Sequence, residues 1–211
     1  MTNAADASGD GRARGSAGRC RETDQPGPAT DDGGVPYVLY VGNRLPHKNL
    51  PRLIEAVARV ARQSPARLVM AGGGTPRRVG ELRRLADRVG ARLELMPYVS
   101  QQALPALYRG ASLVAMPSFA EGFGLPALEA MACGTPVVVG NTSAMPEVVG
   151  DAGLLVDPEE TGAISDAILR LLTQDPVRKE LIARGLARAA AFSWERTARQ
   201  VLAVLDEITS S

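Results

Sequence analysis

The sequence is poor in the side chains from which most metal and nucleophilic sites are built. Its 211 residues include one histidine, His47, and two cysteines, Cys20 and Cys133. Neither cysteine has a CxxC neighbour, which excludes zinc-ligand and dithiol redox motifs, and two thiols so far apart do not make a disulfide framework. Both observations fit a reducing, cytoplasmic setting. A lone histidine with no cysteine or serine partner nearby makes neither a metal site nor a nucleophile–base pair. Charge of one sign is also lacking: 24 Lys and Arg against 23 Asp and Glu leave a formal net charge of +1. That balance offers no field to draw nucleic acid or an anionic membrane. No apolar run approaches the roughly 18 residues that a membrane span needs, and the N-terminus has no apolar segment of the secretory-signal kind.

What is present is unevenly spread. Residues 1–34 contain no Val, Ile, Leu, Phe, Tyr or Trp and are rich in Gly, Ala, Asp, Arg and Ser. Such a segment cannot bury enough apolar surface to offset its ordering entropy, so it is expected to be a disordered arm, with folding on a partner as the alternative. The globular domain is expected over residues 35–211, and the 45% hydrophobic content can fill its core. Arg77, Arg78, Arg83, Arg84 and Arg88 cluster; they read as a solvated helix face or, alternatively, as a peripheral membrane contact.

Within the domain, short apolar runs alternate with helical periodicity. Strands are predicted at Tyr37–Val41, Arg67–Ala71, Arg92–Leu95, Ser112–Met116, Pro136–Val139 and Gly153–Val156. Between them, Leu50, Leu53, Ile54, Val57 and Ala61 recur at helical spacing. Further helices are expected from about Arg77 to Val89, from a Ser100 cap to about Arg109, and from Pro126 to Ala132. Three more follow near residues 159–173, 176–190 and 193–208. The alternation implies βαβ units and an α/β, doubly wound parallel sheet of the Rossmann-like kind, whose ligands sit beyond the carboxyl ends of the strands.

The loops at those ends carry the unusual residues. Glu121-Gly-Phe-Gly-Leu-Pro-Ala-Leu-Glu129 runs from a glycine-rich loop into a helix N-terminus, where free N–H groups and the positive helix end favour an anion. Glu121 and Glu129 could bond the hydroxyls of a sugar or ribose; equally, they could complement the helix dipole. Gly42-Asn-Arg-Leu-Pro-His-Lys-Asn49 opens the first helix, and Arg44 and Lys48 bring positive charge that a diphosphate needs. The same two could be ordinary loop cations. Gly72-Gly-Gly-Thr-Pro-Arg77, with Glu94 further on, resembles a dinucleotide fingerprint only in part, because Arg77 stands where the last glycine belongs.

The block Glu121–Glu129 followed by Ala130-Met-Ala-Cys-Gly-Thr-Pro-Val-Val138 resembles the E-x7-E signature of retaining GT-B glycosyltransferases of family 4. Tyr40–Leu50, Pro97-Tyr-Val99, Leu107-Tyr-Arg-Gly-Ala111, Met145-Pro-Glu-Val-Val149 and Phe192-Ser-Trp-Glu195 agree with it, so the likeness runs from about Val35 to Ile208. The resemblance implies the second, donor-binding half of a GT-B fold. It implies transfer of a hexose, mannose among the candidates, from a nucleoside-diphosphate sugar with retention. It assigns catalytic roles to Glu121, Lys48 and Arg44, and donor contacts to Asn43, Gly73, Tyr98, Val99, Gly122, Phe123, Gly124, Leu125 and Glu129. Glu121 would meet the donor sugar, Glu129 the ribose, the amides of Phe123, Gly124 and Leu125 the diphosphate, and Tyr98 and Val99 the base. The family arginine directly follows the glycine, where this chain has Asn43, with Arg44 one place later. No cofactor is implied beyond the nucleotide sugar, and no obligatory metal. An acceptor-binding domain, in a separate protein or supplied by a homodimer, is expected as partner, and inactivity alone follows. The alternative is a non-catalytic nucleotide-sugar-binding remnant or interaction subunit.

Overall fold

The computed structural model describes residues 34–209. The arm expected over residues 1–34 therefore lies almost wholly outside the described residues, as does Cys20. Six strands form one parallel sheet in the order β3-β2-β1-β4-β5-β6. They are β1 (Tyr37–Val41), β2 (Arg67–Ala71), β3 (Leu93–Met96), β4 (Leu113–Met116), β5 (Val137–Gly140) and β6 (Leu154–Val156). Every pairing is parallel, with Leu39 beside Val69 on one flank of β1 and beside Val114 on the other. The chain order reverses between β1 and β4. That switch point opens the crevice in which doubly wound sheets bind ligands.

Helices cover both faces. On one, α1 (Leu50–Ala61) packs with α2 (Pro76–Val89) and α6 (Thr161–Thr173). On the other, α4 (Leu125–Ala132) packs with α3 (Leu104–Gly110) and α7 (Asp175–Ala190). The local sequence explains these elements. In α1, Leu50, Leu53, Ile54 and Val57 are wholly buried, the i, i+3, i+4, i+7 stripe of a core-facing helix. In α2 the Thr75 hydroxyl accepts from the Arg78 amide, Pro76 fits the first turn, and Gly90 closes the helix at φ +73°. The central strands β2, β4 and β5 are buried throughout, as expected for strands covered on both faces.

The predicted strands and helices are present, with ends moved by a residue or two. Two differences are larger. Ser100 caps a turn, its hydroxyl accepting from Ala103 N, and α3 starts only at Leu104. A five-residue helix, α5 (Met145–Val149), was not foreseen; it is too short to show a period. The last helix, α8 (Trp194–Thr209), has no buried residue. The arginine cluster lies on α2, where Arg77 and Arg78 both pair with Glu81 and Arg83, Arg84 and Arg88 are exposed. Cys133 follows α4 and is not a free thiol, a departure from the expectation of reduced cysteines. Among the described residues, no helix is long and apolar enough to cross a membrane.

Candidate functional site

Two clusters lie along the carboxyl edge of the sheet. The first joins the loops after β1 and β4. A single 3-10 turn, Pro46–Lys48, leads to Asn49, which sits in the left-handed region at φ 56° and begins α1. Asparagine adopts that conformation more readily than other residues with a Cβ. The Asn49 amide nitrogen, buried, donates to the carbonyls of Pro117 (2.9 Å) and Pro158 (2.6 Å). One side chain thereby ties the loop after β1 to those after β4 and β6. The Phe119 amide also donates to the His47 carbonyl at 2.8 Å. His47 itself faces solvent.

These ties bring Lys48 onto Glu121. Lys48 Nζ lies 2.8 Å from Oε1 and 2.7 Å from Oε2. Both side chains are largely buried, at 14% and 7% exposure. Ser118 donates its hydroxyl to Glu121 Oε1 at 2.7 Å, and Ser143 bonds the Glu121 carbonyl at 3.0 Å. The loop then exposes Gly122 and Phe123 and turns into α4 at Gly124, whose φ is +86°. A Cβ on Gly124 would stand 2.5 Å from Met145 Sδ. The backbone conformation therefore favours glycine there, and any larger residue would also have to displace the end of the Met145 side chain. Leu125 opens α4, where the first amides have no partner within the helix.

The second cluster lines a cleft of about 420 Å³ between the ends of β1 and β2, α3 and α4. Asn43, Gly73, Tyr98, Val99 and Glu129 all line it. Gly72 and Gly42 let its floor close: a Cβ on Gly72 would collide with the Gly42 carbonyl oxygen. Tyr98 stands 76% exposed at the rim. Glu129 accepts a 2.9 Å bond from Tyr108, a cleft residue on α3 that the sequence reading left aside. Phe123, Leu125 and Glu129 also line a second, more apolar cleft of about 360 Å³ against Phe192 and Trp194.

Arg44 belongs to neither group of contacts. It is 7% exposed, and its guanidinium donates to the carbonyls of Met70 (3.2 Å) and Met96 (2.9 Å) at the ends of β2 and β3. Gly74 leaves room for it, since a Cβ there would meet Arg44 Cδ at 2.9 Å. Burial holds its pKa below the ordinary arginine value. Glu94, the acid of the partial dinucleotide pattern, pairs with Arg67 at 2.8 Å and does not line the cleft. Sequence reasoning also missed Ser118 and Asn49. The usable signal for Asn49 was an asparagine at a loop-to-helix junction, a place that favours left-handed backbone.

A doubly wound sheet with a cation, two carboxylates and a glycine-started helix along its carboxyl edge is an arrangement of the kind that suits an anionic, hydroxyl-bearing ligand. The family of glycosyl transferases group 1 matches residues 22–188, and the chain belongs to that family. It is 42% identical over 170 residues to the O-antigen chain mannosyltransferase B of Escherichia coli, a match covering 79% of this chain and 44% of that protein. The sucrose-phosphate synthase of Thermosynechococcus elongatus is similar in structure, with 30% identity and a TM-score of 0.74 over 84% of this chain and 46% of that one. The C-terminal domain of a glycosyl transferase group 1 family protein from Francisella tularensis gives 25% identity and a TM-score of 0.70, over 83% of this chain and 96% of that domain. The fold is thus one Rossmann-like half of a GT-B glycosyltransferase. The chain spans less than half the length of the curated relatives it matches.

Proposed function

We propose that this chain is the donor-binding unit of a retaining hexosyltransferase, holding a nucleoside-diphosphate sugar along the carboxyl edge of its sheet. The observation that carries the reading is the Lys48–Glu121 pair beside the start of α4. An ammonium and a helix N-terminus together suit a diphosphate. Lys48 neutralises it, and the amides of Phe123, Gly124 and Leu125 bond it, with Gly122 leaving the loop open to the ligand. Glu121 accepts from the donor sugar's hydroxyls. Glu129 accepts from the ribose, while Asn43, Gly73, Tyr98 and Val99 enclose the nucleoside. Arg44, committed to two backbone carbonyls, supports the Gly72–Gly74 loop and does not touch phosphate. The charge for the leaving diphosphate comes from Lys48 and the helix end, so the reading calls for no cofactor and no obligatory metal. Mannose is the favoured sugar, on the strength of the Escherichia coli relative.

Transfer itself requires an acceptor held against the donor, and positioning of that kind can lower a barrier by about 7–11 kcal/mol. This unit supplies donor contacts. An acceptor-binding unit supplies the other wall and rests on exposed apolar surface such as Trp194 and α8. Calorimetry with GDP and UDP tests the binding. Lys48→Ala should weaken it roughly ten- to a hundredfold, the worth of one charge-assisted bond; equal affinity of wild type and variant removes Lys48 from the site. Donor turnover by the chain alone should be far below an enzymatic rate. Robust transfer by a demonstrated monomer, abolished by Glu121→Gln, would overturn the need for a second wall. Tight nucleotide binding with no transfer, even beside the acceptor half of a relative, would mark a non-catalytic binding unit.

A further inference from the structure

Glu129 sits on the ridge between the two clefts and lines both. A glutamate there can turn to either side, and what holds it is Tyr108. That tyrosine lines only the first cleft, is 1% exposed, and donates its hydroxyl to Glu129 Oε2 at 2.9 Å. Its own place is fixed. The ring packs in the core, and its carbonyl accepts from the Thr135 hydroxyl at 2.8 Å and the Ala111 amide at 3.0 Å. A tyrosine ring has only two side-chain torsions, so a buried one cannot follow a moving partner. Burial, and then the charge of Glu129, push the phenol's pKa well above its usual value, and the hydroxyl stays a donor. Among the described residues no other side chain bonds Glu129. Its second oxygen is left as an acceptor on the wall that also carries Asn43, Gly73 and Tyr98.

We infer that Tyr108 is a positioning residue: it pins Glu129 toward the first cleft so that the free carboxylate oxygen accepts a ribose hydroxyl, and it thereby sets a preference for ribonucleotides over deoxyribonucleotides. The inference rests on reading that cleft as the nucleoside end of the donor site. A phenylalanine at the same position keeps the packing and leaves Glu129 free to turn to the second cleft.

Calorimetry on the full chain decides it, using whichever of GDP and UDP binds more tightly, its 2′-deoxy and 3′-deoxy forms, and inorganic diphosphate. The wild type should favour the ribonucleotide over one deoxy form roughly tenfold or more, as a charge-assisted hydrogen bond allows. Tyr108→Phe should shrink that preference to about threefold or less while leaving inorganic diphosphate affinity within about twofold. A Tyr108→Phe variant that keeps the full preference, or weakens all four ligands equally, shows a merely structural tyrosine and overturns the inference. Should that variant fail to fold, Glu129→Ala leaves the buried phenol in place and must abolish the preference; its survival overturns the inference as well. A wild type that binds nucleotides without discriminating ribose from deoxyribose sinks this inference alone. A wild type that binds no nucleotide sinks the donor-site reading and the inference together.

Discussion

Helices α1 and α8 carry the same kind of pattern and meet opposite fates. In α1 the apolar stripe of Leu50, Leu53, Ile54 and Val57 is wholly buried between the sheet and its neighbours. In α8 the stripe of Trp194, Val201, Leu205 and Ile208 remains 55%, 53%, 50% and 68% exposed. Periodicity states that a helix has an apolar side. Whether anything covers that side depends on the rest of the molecule. For α1 the cover is β2, α2 and α6, brought back by crossovers that the α/β alternation requires. For α8 nothing among the described residues supplies it.

The largest expected effect tests the covered helix. Leu53→Ala should cost about 2–5 kcal/mol, the range for deleting a wholly buried leucine, read from urea unfolding followed by circular dichroism. Next comes the staple at its start. Asn49→Ala loses two buried amide bonds and must hold a left-handed backbone, so about 2–3 kcal/mol is expected. Asn49→Gly should cost about 1 kcal/mol less, because glycine accepts that conformation. Equal losses for the two would show that backbone strain plays no part.

Alkaline pH probes the buried core more gently. Burial is the first cause that raises the pKa of Tyr37, to about 12, and it also raises those of Tyr40 and Tyr108. Their folded-state values exceed the unfolded value of about 10. The stability they contribute is therefore fully present below pH 10 and is lost as pH rises from there through the folded values. Absorbance of tyrosinate should lag behind an unfolded control and rise with the loss of helicity. Complete ionisation while the fold persists would contradict the burial of these rings. Smallest is the effect on the bare helix: Leu205→Ala should change the stability of the monomer by no more than about 0.5 kcal/mol. A loss as large as that for Leu53→Ala would mean that α8 is covered in solution, and sedimentation would then find a dimer.

The fold was largely legible because its signals are local. The strands are unbroken apolar runs, and Thr75, Pro76 and Gly90 punctuate α2 as a reader would expect. The Glu121–Glu129 segment stands out for the same reason: loop, helix start and both acids lie within one short stretch. What escaped depends on partners distant in sequence. Tyr108 reaches Glu129 across 21 positions, and Asn49 reaches Pro117 and Pro158 across 68 and 109. Arg44 shows the same dependence from the other side. A cation beside a loop glycine reads as free for a ligand, yet its Nη2 donates to the strand-end carbonyls of Met70 and Met96. Carbonyls at strand ends compete for any guanidinium within reach, and the sequence does not show which strand end lies close.

The closeness of Lys48 to Glu121 has a consequence for how fast a ligand can arrive. Seen from beyond about 8 Å, the screening distance at physiological ionic strength, the two opposite charges merge into a near-neutral dipole. On the proposed reading, an approaching diphosphate would not be steered by Lys48 from a distance and would meet its charge only on contact, when it takes the place of the carboxylate. The association rate should then vary little with salt, in contrast to a cleft lined by unpaired cations. Converting Glu121 to glutamine would unmask the lysine, so that arrival becomes faster and sensitive to ionic strength even as the proposed grip on the sugar is lost.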